Sequence, residues 1–370
     1  MTIKHLKNIL IPFFIILISL SLIFLVCKTV FAPEFFLKTI KKEVDNNYQL
    51  QPIPDEKETI ISFGGDVMLS RTVNTKMETY NDYFWPFKEV ANYFKQVDFS
   101  VINLESPFLQ NSNYQVLTGS FSFKANPKSV ESLIKSGIDM VSLANNHITN
   151  QGKQGIIDTM ELLDNNNILF NGAGLNDNQA RKPVIIELNG NKFAFLSYAY
   201  PDDYSTATEN SHGLANMDNN KLSDDISKLI NDNPSLDYII VIMHAGIEYT
   251  HSPNWQQKEF AKLAIDLGAD MVVGHHPHWP QEYEMYNGKP IIYSLGNLVF
   301  DQMWSEKTRQ GIILESTWQN GLKRLELIPT KIYDYGQVKI LDKNIENQNT
   351  EREQILTDIK APINGIIYER

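Results

Sequence analysis

ISFGGDVM, residues 61–68, is an apolar run that closes on a carboxylate, and four later segments repeat the design. They are VINLE (101–105), VSLANNH (141–147), IIVIMHAGIE (239–248) and MVVGHHPH (271–278). A short apolar run bounded by polar turn residues reads as a strand buried on both faces. Side chains just past the carboxyl ends of neighbouring strands in an α/β sheet converge on one crevice. Endings of this kind, supplying only oxygen and imidazole donors, read as one site assembled from Asp66, Glu105, Asn146, His147, His244, His276 and His278.

Between these segments the apolar spacing changes to three and four residues, predicting helices near 86–96, 127–136, 152–165, 221–231 and 255–267. Strand-like runs fall near 99–104, 138–143, 183–188, 192–198, 237–243, 270–273 and 290–295, with two more near 310–318 and 323–329. Alternating strand and helix implies a layered α/β domain. The runs within 183–198, joined through Asn189-Gly190-Asn191, predict a hairpin. The polar stretch 201–219 reads as a binding loop, a lid or a disordered segment. The aromatic residues of 80–87 read as core in preference to a partner groove.

A chain of 370 residues with 42% hydrophobic content buries a sizeable core and is not disordered throughout. Its net charge of -11 argues against nucleic acid as a partner. Cys27 is the sole cysteine, which excludes an intramolecular disulfide and any multi-cysteine metal site. From Ile9 to Val26 the chain is almost wholly apolar, with Lys4 and Lys7 before it. That length and charge placement predict an uncleaved transmembrane anchor with everything after it outside the cell. The expected organisation is a cytoplasmic stub and anchor (1–28), a linker (29–57), a large domain (58–335) and a peripheral carboxyl-terminal segment (336–370).

Carboxylate, amide and imidazole together suit divalent ions of intermediate hardness, namely Mn, Fe or Zn, as one ion or two. Asp66 and Glu105 are expected to supply charged oxygens, Asn146 its side-chain carbonyl, and His244, His276 and His278 neutral nitrogens. In an extended HxH, alternate residues face the same way, so His276 and His278 address one site. His147 is expected behind the ligands, donating a proton or hydrogen bond to a developing oxyanion, so that with Asp66 it is a candidate catalytic residue. Taken singly, Asp66 reads equally well as a helix cap, Asn145-Asn146 as a turn and His244 as a core histidine. His275 is expected to pack or to bond to backbone. The metal reading prevails only for the set.

GGDVMLSR (64–71), NLESPF (103–108), ANNHITNQG (144–152), MHAGIEY (243–249), GHHPHWPQ (274–281) and YSLGNLVFDQ (293–302) resemble, in this order, the signatures of the CapA family of bacterial capsule-synthesis proteins, which includes the PgsA-type subunit of poly-γ-glutamate production. The resemblance spans about residues 58–330 and includes the anchor arrangement. It implies a calcineurin-like metallophosphoesterase fold: a β-sandwich flanked by helices with a dimetal site at strand ends. It also implies as partners an anionic exopolymer, poly-γ-glutamate or a relative, and the membrane subunits of the synthase. One departure stands out. Phosphoesterases of this fold carry a histidine two residues after the first aspartate, and this chain has Met68, a poor ligand for these ions. Three functions stay open: a metal-dependent hydrolase or transferase acting on the capsule polymer, a non-catalytic polymer-binding or synthase-associated scaffold, and a surface metallophosphoesterase.

Overall fold

The computed structural model describes residues 57–110, 120–200 and 205–370. The predicted anchor, Cys27 and all but the last residue of the predicted linker lie outside the described residues. Among those described, no helix is long and apolar enough to cross a membrane.

Two sheets carry the fold. The nine-stranded sheet runs in the order Gln337–Ile340, Leu322–Tyr333, Gln310–Trp318, Thr59–Val67, Phe99–Leu104, Met140–Ser142, Leu169–Asn171, with Asn297–Val299 pairing Thr59–Val67 and Ile366–Glu369 pairing Leu322–Tyr333. The six-stranded sheet runs Tyr283–Tyr286, Lys289–Ile292, Met271–His275, Tyr238–His244, Asn191–Ala199, Val184–Leu188. The strands that end in the predicted site residues pair in parallel at the centre of each sheet. This is the mixed α/β architecture that the alternation implies.

Strand alternation explains why these runs are apolar throughout. Phe63, Val101, Phe195, Ile240 and Val273 face one another in the layer between the sheets. Their neighbours Ile102 and Leu104 turn outward, with Val141, into the layer under the helices Arg71–Tyr80, Val130–Ser136 and Gly152–Asn165. On the other sheet Leu196, Val241 and Val272 face Asn219–Asp232 and Trp255–Leu267. The result is helix, sheet, sheet, helix.

Some local expectations hold and others need adjusting. The hairpin forms with a two-residue turn in which Asn189 and Gly190 are both left-handed (φ 50 and 86), the geometry that matches strand twist. Of the 201–219 stretch, Ser205, Ala207, Leu214 and Ala215 are buried, and Gly213–Leu214 pairs with Ala173–Gly174, so the described part is packed structure and not a free lid. Residues 336–370, expected to be peripheral, add two strands to the large sheet and bury Leu341, Ile355, Leu356 and Ile359. Trp85 and Phe87 are buried, as core assignment requires, while Tyr80 stays exposed.

The sheets bring the site elements together through close backbone approach. Asp66 donates its N–H to the Gly296 carbonyl at 2.9 Å, and a Cβ on Gly65 would lie 2.0 Å from that same oxygen. Gly65→Ala is therefore expected to destabilise the protein by at least ~2 kcal/mol, since backbone must move. Gly190→Ala, left-handed but in open space, is expected to cost only ~1 kcal/mol from its dihedral. Urea denaturation of the two variants checks the difference.

Candidate metal centre

Register places the functional side chains. Asp66 lies beside Asn103 and Asn297 on adjoining strands of the large sheet, and His244 beside His275 on the small one. Loops leaving these strand ends carry Glu105, Asn146, His147, His276 and His278. All of the predicted members except Asn146 and His276 fall in the buried class, with Asp66 and Glu105 fully inaccessible.

Asn103 is the hub. Its amide oxygen accepts from Asn145 Nδ2 at 3.1 Å, which turns the NH2 group into the site. That group faces Asp66 Oδ1 at 2.7 Å, Glu105 Oε2 at 3.3 Å and His244 Nδ1 at 3.2 Å. Two hydrogens confront three acceptors. His244 Nε2 in turn lies 2.9 Å from Asn146 Oδ1 and 3.1 Å from His276 Nδ1. His278 Nδ1 meets Asn297 Oδ1 at 2.9 Å, and Asn297 spends its own amide hydrogens on Gln302 and the Thr308 carbonyl.

Glu105 Oε1 is buried and without a hydrogen-bond partner. His147 Nε2 stands 3.7 Å from it and His278 Nε2 3.9 Å. A buried carboxylate oxygen left unpaired among imidazole nitrogens costs stability unless a cation or proton fills the gap. Ligand atoms of Asp66, Glu105 and His244 all lie within 4.8 Å of one another, so this buried group can hold a metal ion. The donor set, carboxylate and imidazole with an amide oxygen, fits Mn, Fe or Zn by its chemistry.

The electrostatics agree. Burial, then the charges of Asp66 and Glu248, push the Glu105 carboxyl well above its usual range. Burial opposes ionisation of Asp66 too, but the imidazoles of His275, His244 and His278 hold it well below. Burial drives His244 well down, and it brings His147 and His276 down to about 4. His147, His244 and His276 are thus neutral near pH 7, the form that binds metal.

The structure brings together all seven predicted residues, with two corrections, to the His276–His278 segment and to His275. His276 and His278 do not lie on an extended segment: the strand ends at His275 and both are left-handed (φ 97 and 57), a conformation β-carbon sterics disfavour. It lets His276 donate its backbone N–H to Asp66 Oδ2 at 3.2 Å. His275, expected to pack or bond to backbone, presents an unpartnered Nδ1 3.4 Å from Asp66 Oδ1. Met68 belongs to the apolar layer, its sulfur accepting the Ser70 N–H at 3.0 Å. Sequence reading missed the orienting roles of Asn103 and Asn297; their only signal is an amide embedded in NLE and GNL.

Residues 60–302 match the family described as "Bacterial capsule synthesis protein PGA_cap". The chain is 32% identical over 290 residues to the "Capsule biosynthesis protein CapA" of Bacillus anthracis, covering 76% of this chain and 70% of that protein. It is 30% identical over 294 residues to the "PGA biosynthesis protein CapA" of Bacillus subtilis, covering 79% and 76%. Among solved structures it is similar to a phosphatase from Mycoplasma pneumoniae, with a TM-score of 0.46, 13% identity and coverage of 74% and 94%.

Titration of the metal-free protein follows from these shifts. Because Glu105 is raised from 4.5, its acid form supports the fold below that pH, and the support is lost as pH rises through the folded value. His147 and His276, held near 4 against 6.5, have the opposite sign: stability is lost as pH falls between those values. In metal-free protein near pH ~8, Glu105→Gln is expected to exceed wild type by on the order of 1–3 kcal/mol, the gap closing towards the ordinary carboxylate range. Saturating Mn²⁺ or Zn²⁺ is expected to reverse the order, since only wild type retains the charged ligand. Urea denaturation across pH, with and without metal, measures both.

Proposed function

This chain belongs to the bacterial capsule synthesis family PGA_cap, and from that premise we propose that it is a membrane-anchored, extracellular accessory protein of polyglutamate capsule synthesis whose site acts as a metal-dependent hydrolase or transferase. The observation that carries the catalytic reading is the buried, unpartnered Glu105 Oε1, flanked by His147 and His278 and beside Asp66. In this reading the β-sandwich is of metallophosphoesterase type, and Asp66, Glu105, Asn146, His244, His276 and His278 hold one or two ions of Mn, Fe or Zn.

A bound divalent cation lowers the pKa of its water and draws charge from an acyl or phosphoryl oxygen. The remaining work falls to the protein. Asn103 holds both carboxylates and His244 in place, Asn297 fixes the ring of His278, and His147 moves a proton at the edge of the site. The anionic polymer approaches a chain of net charge -11, so bound cations would supply the local attraction it needs. The partners are then the nascent polymer and the membrane subunits of its synthase.

Met68 favours a second reading, a non-catalytic scaffold whose site is retained for folding. A surface metallophosphoesterase is the least supported, for the same reason. Elemental analysis of the purified full chain is expected to find Mn, Fe or Zn at one equivalent or more, and Asp66→Asn or His276→Ala to weaken metal binding at least ~10-fold. In a strain dependent on this protein, the enzyme reading predicts that these variants abolish polymer output. Unchanged output alongside lost metal supports the scaffold. Deleting residues 1–56 is expected to abolish output in either case, and protease treatment of intact cells is expected to digest the domain.

A further inference from the structure

We infer that Glu248, Tyr249 and Trp304 form a recognition subsite for an alkylammonium group at the mouth of the metal centre, and that the group it takes from the polymer is the free amino end. The inference rests on reading the site as one that acts on poly-γ-glutamate, and it names which part of that chain is presented. Trp304 is 64% exposed and Ile247 61% exposed, on loops that leave the strands Asn297–Val299 and Tyr238–His244. Large apolar side chains left in water at the edge of a polar site mark a ligand contact. The two loops meet through Tyr249. Its ring stacks on His278, with centroids 5.9 Å apart and planes 25° from parallel, and meets Trp304 at 4.9 Å and 83°. Rings thus run from a candidate metal ligand out to solvent.

Tyr249 is held firmly for this purpose. It is left-handed (φ 63), a conformation that costs free energy in any residue with a β-carbon, and its backbone N–H donates to the Pro277 carbonyl at 2.9 Å. Its hydroxyl oxygen accepts from Gln302 Nε2 at 3.3 Å, and Gln302 Oε1 accepts from the Asn297 amide at 3.1 Å. A hydroxyl supplied in this way keeps its own hydrogen for a carboxylate. Glu248 is that neighbour: after burial it is the group that raises the Tyr249 hydroxyl, and after burial and Asp66 it raises the Glu105 carboxyl. An exposed acid felt by both Tyr249 and Glu105 stands at the entrance of the centre.

That placement selects the ligand. A carboxylate at the entrance repels the carboxylate carried by every unit of the polymer and attracts a cation. Two aromatic rings near a right angle add the attraction of their negative faces for an ammonium group. A groove built for the polymer's carboxylates would offer a free guanidinium or ammonium, whereas the nearby Arg71 is buried and paired with Asp301. Poly-γ-glutamate has one positive group per chain, the amino group of its first unit. The subsite therefore accepts the end of a chain whose interior it repels, and a polymer seated by that end presents terminal units to the centre.

Calorimetry on the Mn²⁺-loaded full-length protein, with a γ-linked glutamate tetramer and its N-acetylated form as probes, tests this. Wild type is expected to bind the free tetramer about 10-fold more tightly than the acetylated one. Glu248→Gln is expected to bring the two to one affinity, and Trp304→Ala to weaken the free tetramer at least about 3-fold, with Mn²⁺ content unchanged in both. Both side chains are exposed, so neither substitution disturbs packing. Equal affinity of the two tetramers for wild type overturns the inference, and so does loss of Mn²⁺ from Glu248→Gln, which would make Glu248 a ligand. Binding of neither tetramer removes the polymer, and n-butylammonium then decides the subsite. Saturation-transfer NMR on the metal-free full chain is expected to show that amine bound to wild type and unbound in Glu248→Gln and Trp304→Ala. No transfer in wild type, or transfer that persists in the variants, overturns the subsite whether or not the protein binds metal.

Discussion

Two carboxylates, Asp66 and Glu105, are buried completely and lie beside one another, with Asn103 as their shared donor. Like charges a few ångströms apart in a medium poorer in water than the surface repel by several kcal/mol, and desolvation adds to the cost. The protein answers the two unequally. Asp66 receives the Asn103 amide, the His276 backbone N–H and the nearby imidazoles, and is held ionised. Glu105 shares only the Asn103 amide and is pushed towards its acid form. That asymmetry gives the pocket one fixed negative charge and one that a cation can summon. The tight packing of strand ends around Asp66, including the Gly65–Gly296 approach, keeps both oxygens where water cannot relieve them.

The fold was legible where burial was two-sided. Runs such as IIVIM and MVVG are apolar because one alternate set fills the space between the sheets and the other lies under helices, so they stand out in the sequence. Short strands with little buried surface gave no such signal. Tyr283–Tyr286, Gln337–Ile340 and Ile366–Glu369 are each four residues long, and of these positions only Val338 is buried. The helix Arg71–Tyr80 went unread for a different reason. RTVNTKMETY is weakly apolar, Ser70 makes no side-chain cap bond, and the Thr72 N–H at its start is satisfied by Asp301 from 229 residues away. Long-range partners of this sort leave no local pattern.

The site divides along the same line. Residues that terminate strands were visible because a carboxylate, amide or histidine interrupts an apolar run. Orientation was not. No spacing rule tells that His276 and His278 are left-handed, or that His275 turns an unpaired nitrogen to Asp66 while His276 reaches it through its backbone. Nor does NLE announce that Asn103 faces inward; that depends on Asn145 occupying its carbonyl from the neighbouring strand end.

A common device underlies the orienting contacts. Asn103 and Asn297 are each fixed by further hydrogen bonds that determine which end of the amide meets the site: Asn145 for the first, Gln302 and Thr308 for the second. Amides can orient imidazoles without adding charge, whereas carboxylates in those places would add to the repulsion around Asp66 and Glu105. Neutral orienting groups therefore add nothing to the negative charge of Asp66, Glu105 and nearby Glu248, and leave histidine lone pairs as the remaining donors. A divalent cation could satisfy both acids and the bare nitrogens together, while protons can satisfy them only one at a time. Met68, two residues after Asp66, packs into the apolar layer under the helices and adds no donor to this set. The electrostatic demand for a cation therefore falls on the two acids and the surrounding imidazoles, with His275 Nδ1 3.4 Å from Asp66 Oδ1 and without a hydrogen-bond partner.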